Sequence, residues 1–215
     1  MMIPRSSLFL IFCFLCFNVF AQRYSYNKWD AALVEHANTA KSVDYMNQDE
    51  KKVILYINLV RINPKLFSET YLQQYIDSLR VNNSLHSDEY SYIVSLQKDL
   101  GSIEKRKALL PLKELHESAN ALAQAMGESG STGHGNYNKR FSKVMKETNC
   151  YKTGEDCDYG FEAPLDIVLH LLIDNGVPDL GHRKNILDKD FTNIGTSIKP
   201  HKKYGWNCVI DFVGR

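Results

Sequence analysis

The chain has 215 residues, 44% hydrophobic and 24% charged, with 26 Lys and Arg against 25 Asp and Glu. This length and composition suit one compact domain with a sizeable core. The near balance of charge excludes a general attraction to nucleic acid or to an anionic membrane surface.

Residues 1–21 read as a cleavable signal peptide. Arg5 is the charged n-region, Leu8 to Phe17 is apolar, and Val19-Phe20-Ala21 ends in a small residue before Gln22. The uncharged run is broken by Asn18 and falls short of the ~20 apolar residues a spanning helix needs, so no membrane span is expected after cleavage. Cys13 and Cys16 follow Phe12 and Leu15, not the small residue of a lipidation signal. Removing residues 1–21 takes away one Arg and leaves 25 basic against 25 acidic side chains in an exported protein.

Residues 22–49 form an N-terminal arm whose apolar knot is Trp29 with Ala31 to Val34. The domain proper is expected over 50–215. From Glu50, the residues Val53, Ile54, Ile57 and Val60 recur at helical spacing, and Asn63-Pro64 ends that helix and caps the next. Phe67, Tyr71, Leu72, Tyr75, Ile76 and Leu79 continue the pattern to a break at 81–84. Ser87, Asp88 and Glu89 open a further helix that Gly101 interrupts. Leu115, Ala119, Leu122, Ala123 and Met126 give the cleanest helix, over 112–127, followed by a small-residue loop that carries His134.

Pro164 opens a second amphipathic helix, whose apolar stripe is Leu165, Val168, Leu169, Leu172 and Ile173. At ~100° per residue Asp174 falls about 180° from Leu165, on the polar side with His170. The period then changes to two. Ile194, Thr196 and Ile198, a turn at 200–203, and Trp206, Cys208, Ile210 and Phe212 form a terminal hairpin. Helices before and between a few late strands give an α+β domain of layered type.

Three cysteines remain in the exported chain: Cys150, Cys157 and Cys208. An oxidising compartment predicts one disulfide among them, with the pairing open. Without a Cys-x-x-Cys pair, a cysteine metal site is the weaker reading. The chemistry gathers at Gly133-His134, Gly154-Glu155, Asp174 and Gly181-His182. Two imidazoles and two carboxylates can build a divalent-metal site or an acid–base cluster. His134 and His182 suit Zn²⁺ or another borderline cation, and the carboxylates either complete its sphere or orient the rings. No organic cofactor is expected. Ser129 and Ser131 near His134 raise a Ser–His hydrolase, but no nucleophile-elbow pattern supports it. His116, His170 and His201 read as surface residues.

From Met126 to Gly214 the chain resembles the CAP superfamily (cysteine-rich secretory proteins, antigen 5, pathogenesis-related 1), in its bacterial secreted branch. The marks are Gly133-His134 after a helix, Gly154-Glu155-Asp156 in place of a Gly-Glu-Asn triplet, and a helix ending in an acidic residue. The segment from Gly181 through Leu187, with Phe191-Thr192-Asn193-Ile194-Gly195 and the final hairpin, completes them. Looser matches lie at Ile57 to Arg61 and at Leu110-Pro111-Leu112. The resemblance implies an α-β-α sandwich around a small antiparallel sheet, with an N-terminal helical extension and a helical insertion at about 62–109. It also implies a pocket tetrad of His134, Glu155, Asp174 and His182, with Asp174 one methylene shorter than the usual Glu.

On these grounds the chain is expected to be a secreted protein whose cleft binds a ligand of lipid or sterol type, another small molecule, or a divalent cation. Two other readings stand beside it. One is a metal-assisted hydrolase or peptidase with Glu155 as general base. The other is a non-catalytic scaffold that uses the helical insertion to engage a protein partner.

Overall fold

The structure, a computed structural model, describes residues 28–215; the expected leader 1–21 and its cleavage point lie outside the described residues. The arm forms helix α1 (Ala31–Ala37), and it docks through Trp29, whose indole N–H donates to Thr70 Oγ1 at 3.1 Å. Helix α2 (Gln48–Ile62) starts in a capping box, with Asn47 accepting from the Asp49 and Glu50 amides and Glu50 reaching back to the Asn47 amide. Glu50 also accepts from Ser197 Oγ and the Ile198 amide, so the cap ties α2 to the sheet.

Pro64 opens the short α3 (Pro64–Phe67), which runs through a π-helical turn at Ser68–Leu72 into α4 (Gln73–Val81). Helix α5 (Ser87–Ser102) carries Gly101 within its last turn, so that glycine does not interrupt it as the sequence suggested. Then come β1 (Leu110–Pro111), α6 (Lys113–Ser129), α7 (Tyr137–Thr148), β2 (Lys152–Tyr159), α8 (Pro164–Ile173), α9 (Gly181–Leu187), β3 (Asn193–His201) and β4 (Gly205–Gly214). Among the described residues no helix is long and apolar enough to cross a membrane.

The four strands lie in the order β1-β3-β4-β2, antiparallel except for the two-residue β1, which pairs parallel with β3. Because strand side chains alternate, the register fixes two faces. Ile194, Ile198, Cys208, Ile210 and Phe212 join the core built with α2 and α8. Val209 and Cys157 pack with Ala119, Leu122 and Met126 of α6, while Val213 packs with Phe141 and Val144 of α7. The result is the expected α-β-α sandwich. Helix α6 crosses the sheet very closely: a Cβ on Gly195 would sit 2.2 Å from the His116 amide nitrogen, and one on Gly127 2.2 Å from the Pro200 carbonyl oxygen.

The same two faces account for the cysteines. Cys150, Cys157 and Cys208 are free and buried, and the expected bridge is not found. Cys157 is paired with Val209 and Asp158 with Cys208, so the Cys157 and Cys208 side chains leave opposite sides of the sheet. Cys150 lies in a third place, beside Val213 under α7.

Candidate functional site

Strand β2 is an edge strand, and its exposed edge is the floor line of the site. The sequence analysis assigned no strand to this segment. Its alternation instead sends Glu155, Cys157 and Tyr159 to the α6 face and Asp156 and Asp158 to the α8 face.

On the α6 face, α6 ends at Gly130, whose φ of 76° is the left-handed value that stops a helix, and the following loop crosses the β2 edge. Two contacts pin that loop: the Gly133 amide donates to Tyr159 Oη at 2.8 Å, and His201 Nε2 donates to the Ser131 carbonyl at 2.9 Å. His201 is thus a buried structural residue, not the surface residue expected. His134 Nδ1 lies 2.8 Å from Glu155 Oε1, and against a carboxylate acceptor it is the donor, leaving Nε2 free.

Arg140, from α7, closes the group by donating to Glu155 Oε2, to the His134 carbonyl and to Ser118 Oγ. Its second nitrogen lies 3.5 Å from Asp211 Oδ2. Asp211 stands directly across from Glu155 on β4, and burial followed by the Glu155 charge pushes its carboxyl well above the usual range. Cys157 Sγ lies 3.9 Å from His134 Nδ1, and burial raises the thiol in the same way. Donor atoms of His134, Glu155 and Cys157 all lie within 4.8 Å of one another.

On the α8 face, Asp174 differs from its expected place. It leaves α8 with φ 58°, in the left-handed region, and is buried rather than on a polar helix face. Its carboxylate accepts from the amides of His182 and Arg183, so it caps α9, and also from His182 Nδ1 at 2.7 Å. His170 does not pair with Asp174 at i+4. It bonds Asp158 through Nδ1. Asp156 accepts from Asn185 Nδ2 at 2.7 Å; its other oxygen has no partner, and burial pushes the carboxyl up to about 8 despite the nearby His182 and Asn185.

The two imidazoles here hold their protons more tightly than free histidine. For His182 the Asp174 hydrogen bond is the largest cause. For His170 burial works against the charge, and the Asp158 bond and charge outweigh it. Arg183 is buried and donates to the Leu172 and Ile173 carbonyls that end α8 and to Asp99 and Ser95 of α5, which fixes where α9 begins.

Both sides open into one cleft of about 400 Å³ lined by His134, Cys157, Tyr159, His170, Asp174 and His182. Glu155 lies beneath His134, so the four residues expected from the sequence border one place, as two His–carboxylate pairs on either side of the β2 edge. Sequence reasoning missed His170, Cys157 and Arg140. Ser129 Oγ bonds the Ala125 carbonyl and Ser131 Oγ, not His134, so the Ser–His arrangement does not form. A larger groove of about 610 Å³ between α6 and α7 holds no histidine or acid.

An α-β-α sandwich with paired His and carboxylate groups over the edge of a small sheet defines a domain of the CAP kind. Residues 56–212 match the family model described as CAP, cysteine-rich secretory protein family, and the chain belongs to that family. No curated protein matches the chain in sequence. Among solved structures it is similar to an outer surface protein from Borrelia burgdorferi, at 22% identity and TM-score 0.43, covering 59% of this chain and 89% of that one. It is also similar to a cysteine-rich secretory protein from Staphylococcus aureus, at 14% identity and TM-score 0.41, covering 61% of this chain and 40% of that one.

Proposed function

We propose that this is an exported CAP-domain binding protein whose cleft takes up a small ligand or a divalent cation through the imidazoles of His134 and His182. The observation that supports this most directly is that both rings are fixed through Nδ1 by carboxylates, Glu155 and Asp174, which leaves each Nε2 available. His170 repeats the arrangement with Asp158 on the same cleft. Neutral imidazole nitrogens suit Zn²⁺ and similar borderline ions, which would supply a Lewis-acid anchor for an anionic or carbonyl ligand. A lipid or sterol has less support at this place, because His134, His170, Asp174 and His182 put four titratable side chains into the lining.

The hydrolase reading asks Glu155 to serve as base. Its side chain is fully buried, with both oxygens engaged by His134 and Arg140, which argues against that role. The scaffold reading keeps some support from Val81, Tyr90 and Val94, exposed apolar side chains on α4 and α5. Calorimetric titration with Zn²⁺ at pH 7.5 tests the leading reading. Binding should weaken markedly in His182→Ala and be lost near pH 5, where the imidazoles are protonated. Equal binding by wild type and variant would remove His182 from the site.

A further inference from the structure

The cleft places Cys157, which the two-histidine reading does not use, beside the His134–Glu155 pair. On the α6 side, His134 Nδ1 faces Glu155 Oε1 at 2.8 Å and Cys157 Sγ at 3.9 Å. Tetrahedral Zn²⁺ bonds of ~2.0 Å to nitrogen and oxygen and ~2.3 Å to sulfur place N and O about 3.4 Å apart and N and S about 3.6 Å apart. The two separations from His134 thus lie near those of a closed site, and the third, between Glu155 and Cys157, lies within 4.8 Å and closes toward about 3.6 Å when an ion enters. We propose that Cys157, His134 and Glu155 form a mixed sulfur, nitrogen and oxygen site for a Zn²⁺-class ion, with its fourth position open to the cleft.

Three features of the fold favour this assignment. Arg140 holds Glu155 Oε2, which keeps Oε1 turned toward His134. Cys157 cannot be consumed by its neighbour Cys208, because the two leave opposite faces of the sheet. Cys157 and Glu155 are two apart on one strand, so both project from the same face and backbone pleating sets their spacing.

The proton balance is simple. The ion replaces the proton that His134 Nδ1 shares with Glu155, that proton moves to Nε2 by tautomerisation through solvent, and the thiol proton leaves as the sulfur–metal bond forms. One proton is released per ion, and thiolate and carboxylate together balance the dication. A thiolate ligand also sets the selectivity. The site should prefer Zn²⁺ or Co²⁺ and pass over Mg²⁺ and Ca²⁺, which take all-oxygen shells.

This inference rests on the reading that the cleft takes up a divalent cation; it shares His134 with that reading, though through Nδ1 in place of Nε2 and with Glu155 as a ligand in place of an orienting group, and it does not use His182. The test loads the mature protein with Co²⁺ and follows the near-ultraviolet thiolate-to-metal charge-transfer band, beside Zn²⁺ affinity. Cys157→Ser should abolish the band and weaken Zn²⁺ by more than ~100-fold, beyond the ~10–100-fold expected when a group that only orients a ligand is lost. His182→Ala should keep the band.

Far-ultraviolet dichroism of each variant reports folding. Should Cys157→Ser fail to fold, alkylation of wild type gives the second measurement, since Zn²⁺ should protect Cys157 and leave Cys150 and Cys208 unchanged. Ion binding without the band, lost in His182→Ala, would support the two-imidazole site and overturn this one. No uptake of Zn²⁺ or Co²⁺ by wild type would overturn both.

Discussion

On the α6 face of β2 the Glu155 carboxylate is held by the Arg140 guanidinium, whereas on the α8 face Asp156 bonds the Asn185 amide and Asp158 the His170 imidazole, and each keeps one oxygen without a partner. Adjacent residues of one strand therefore sit in unlike electrostatic settings. The α6 side has a fixed cation and serves as a rigid seat for His134. On the α8 side the charge that faces the carboxylates is the proton on His170 or His182, so this half of the cleft responds to pH. Two His–carboxylate pairs that look alike in sequence thus differ in what balances them.

The largest effect should come from removing the cation of the rigid side. Arg140→Met leaves Glu155 and Asp211, both with fully buried side chains, sharing a site with no guanidinium. Losing one partner of a buried ion pair costs about 3–5 kcal/mol, or on the order of 10 °C in Tm for a domain of this size. Adding Asp211→Asn to that variant should recover part of the loss, because the remaining carboxylate no longer meets a second one. A loss under about 1 kcal/mol in thermal unfolding would show that the α6 side is not held in this way.

The responsive side predicts a smaller effect with a definite sign. Asp156 is pushed up to about 8 in the folded state against a reference near 3.9, so between those values the native protein binds more protons than the unfolded chain. Stability must then fall as pH rises, by up to about 1.4 kcal/mol per pH unit for one proton. His182 acts in the same direction: its folded value is raised, so its contribution is full below about 6.5 and is lost as pH climbs through the folded value. Denaturant melts from pH 5.5 to 8.5 should show wild type weakening, and Asp156→Asn weakening less. Parallel profiles for the two proteins would remove Asp156 as the source.

Much of this organisation was legible in the sequence, and what escaped has a common cause. Helix α6 buries one stripe, Leu115, Ala119, Leu122, Ala123 and Met126, so its 3.6 period shows through, whereas α2 and α8 are buried nearly all round and were legible as long apolar runs bounded by Pro64 and Pro164. The hairpin is buried on both faces, but Ile194, Ile198, Ile210 and Phe212 keep a period of two on one of them. Strand β2 reads Lys-Thr-Gly-Glu-Asp-Cys-Asp-Tyr, with acids directed to both faces, so no hydrophobic alternation marks it. Failing to see β2 hid the partner of His170, which is Asp158; His170 is exposed as expected, but it lines the cleft. Arg140 was missed because α7 has few strongly apolar buried positions, Phe141 and Val144, to mark it as a helix over the cleft. The tetrad itself was found through family resemblance, since residues brought together by the fold leave no local spacing to read.

The smallest expected effect bears on the register that separates the two faces. If Cys157 and Cys208 project to opposite sides, as the pairings Cys157 with Val209 and Asp158 with Cys208 require, no bridge can join them without moving backbone. Reductant should then leave the unfolding midpoint of the protein within about 0.5 kcal/mol, whereas loss of a real disulfide typically costs 2–4 kcal/mol. Thiol labelling of the denatured protein, read by peptide mapping, should find Cys150, Cys157 and Cys208 all free. A Cys157–Cys208 bridge found by peptide mapping, with a reductant-sensitive midpoint, would mean that β2 is shifted by a residue against β4. That shift would carry Glu155 to the α8 face and Asp156 to the α6 face, and the division of the cleft into a rigid and a responsive half would be lost with it.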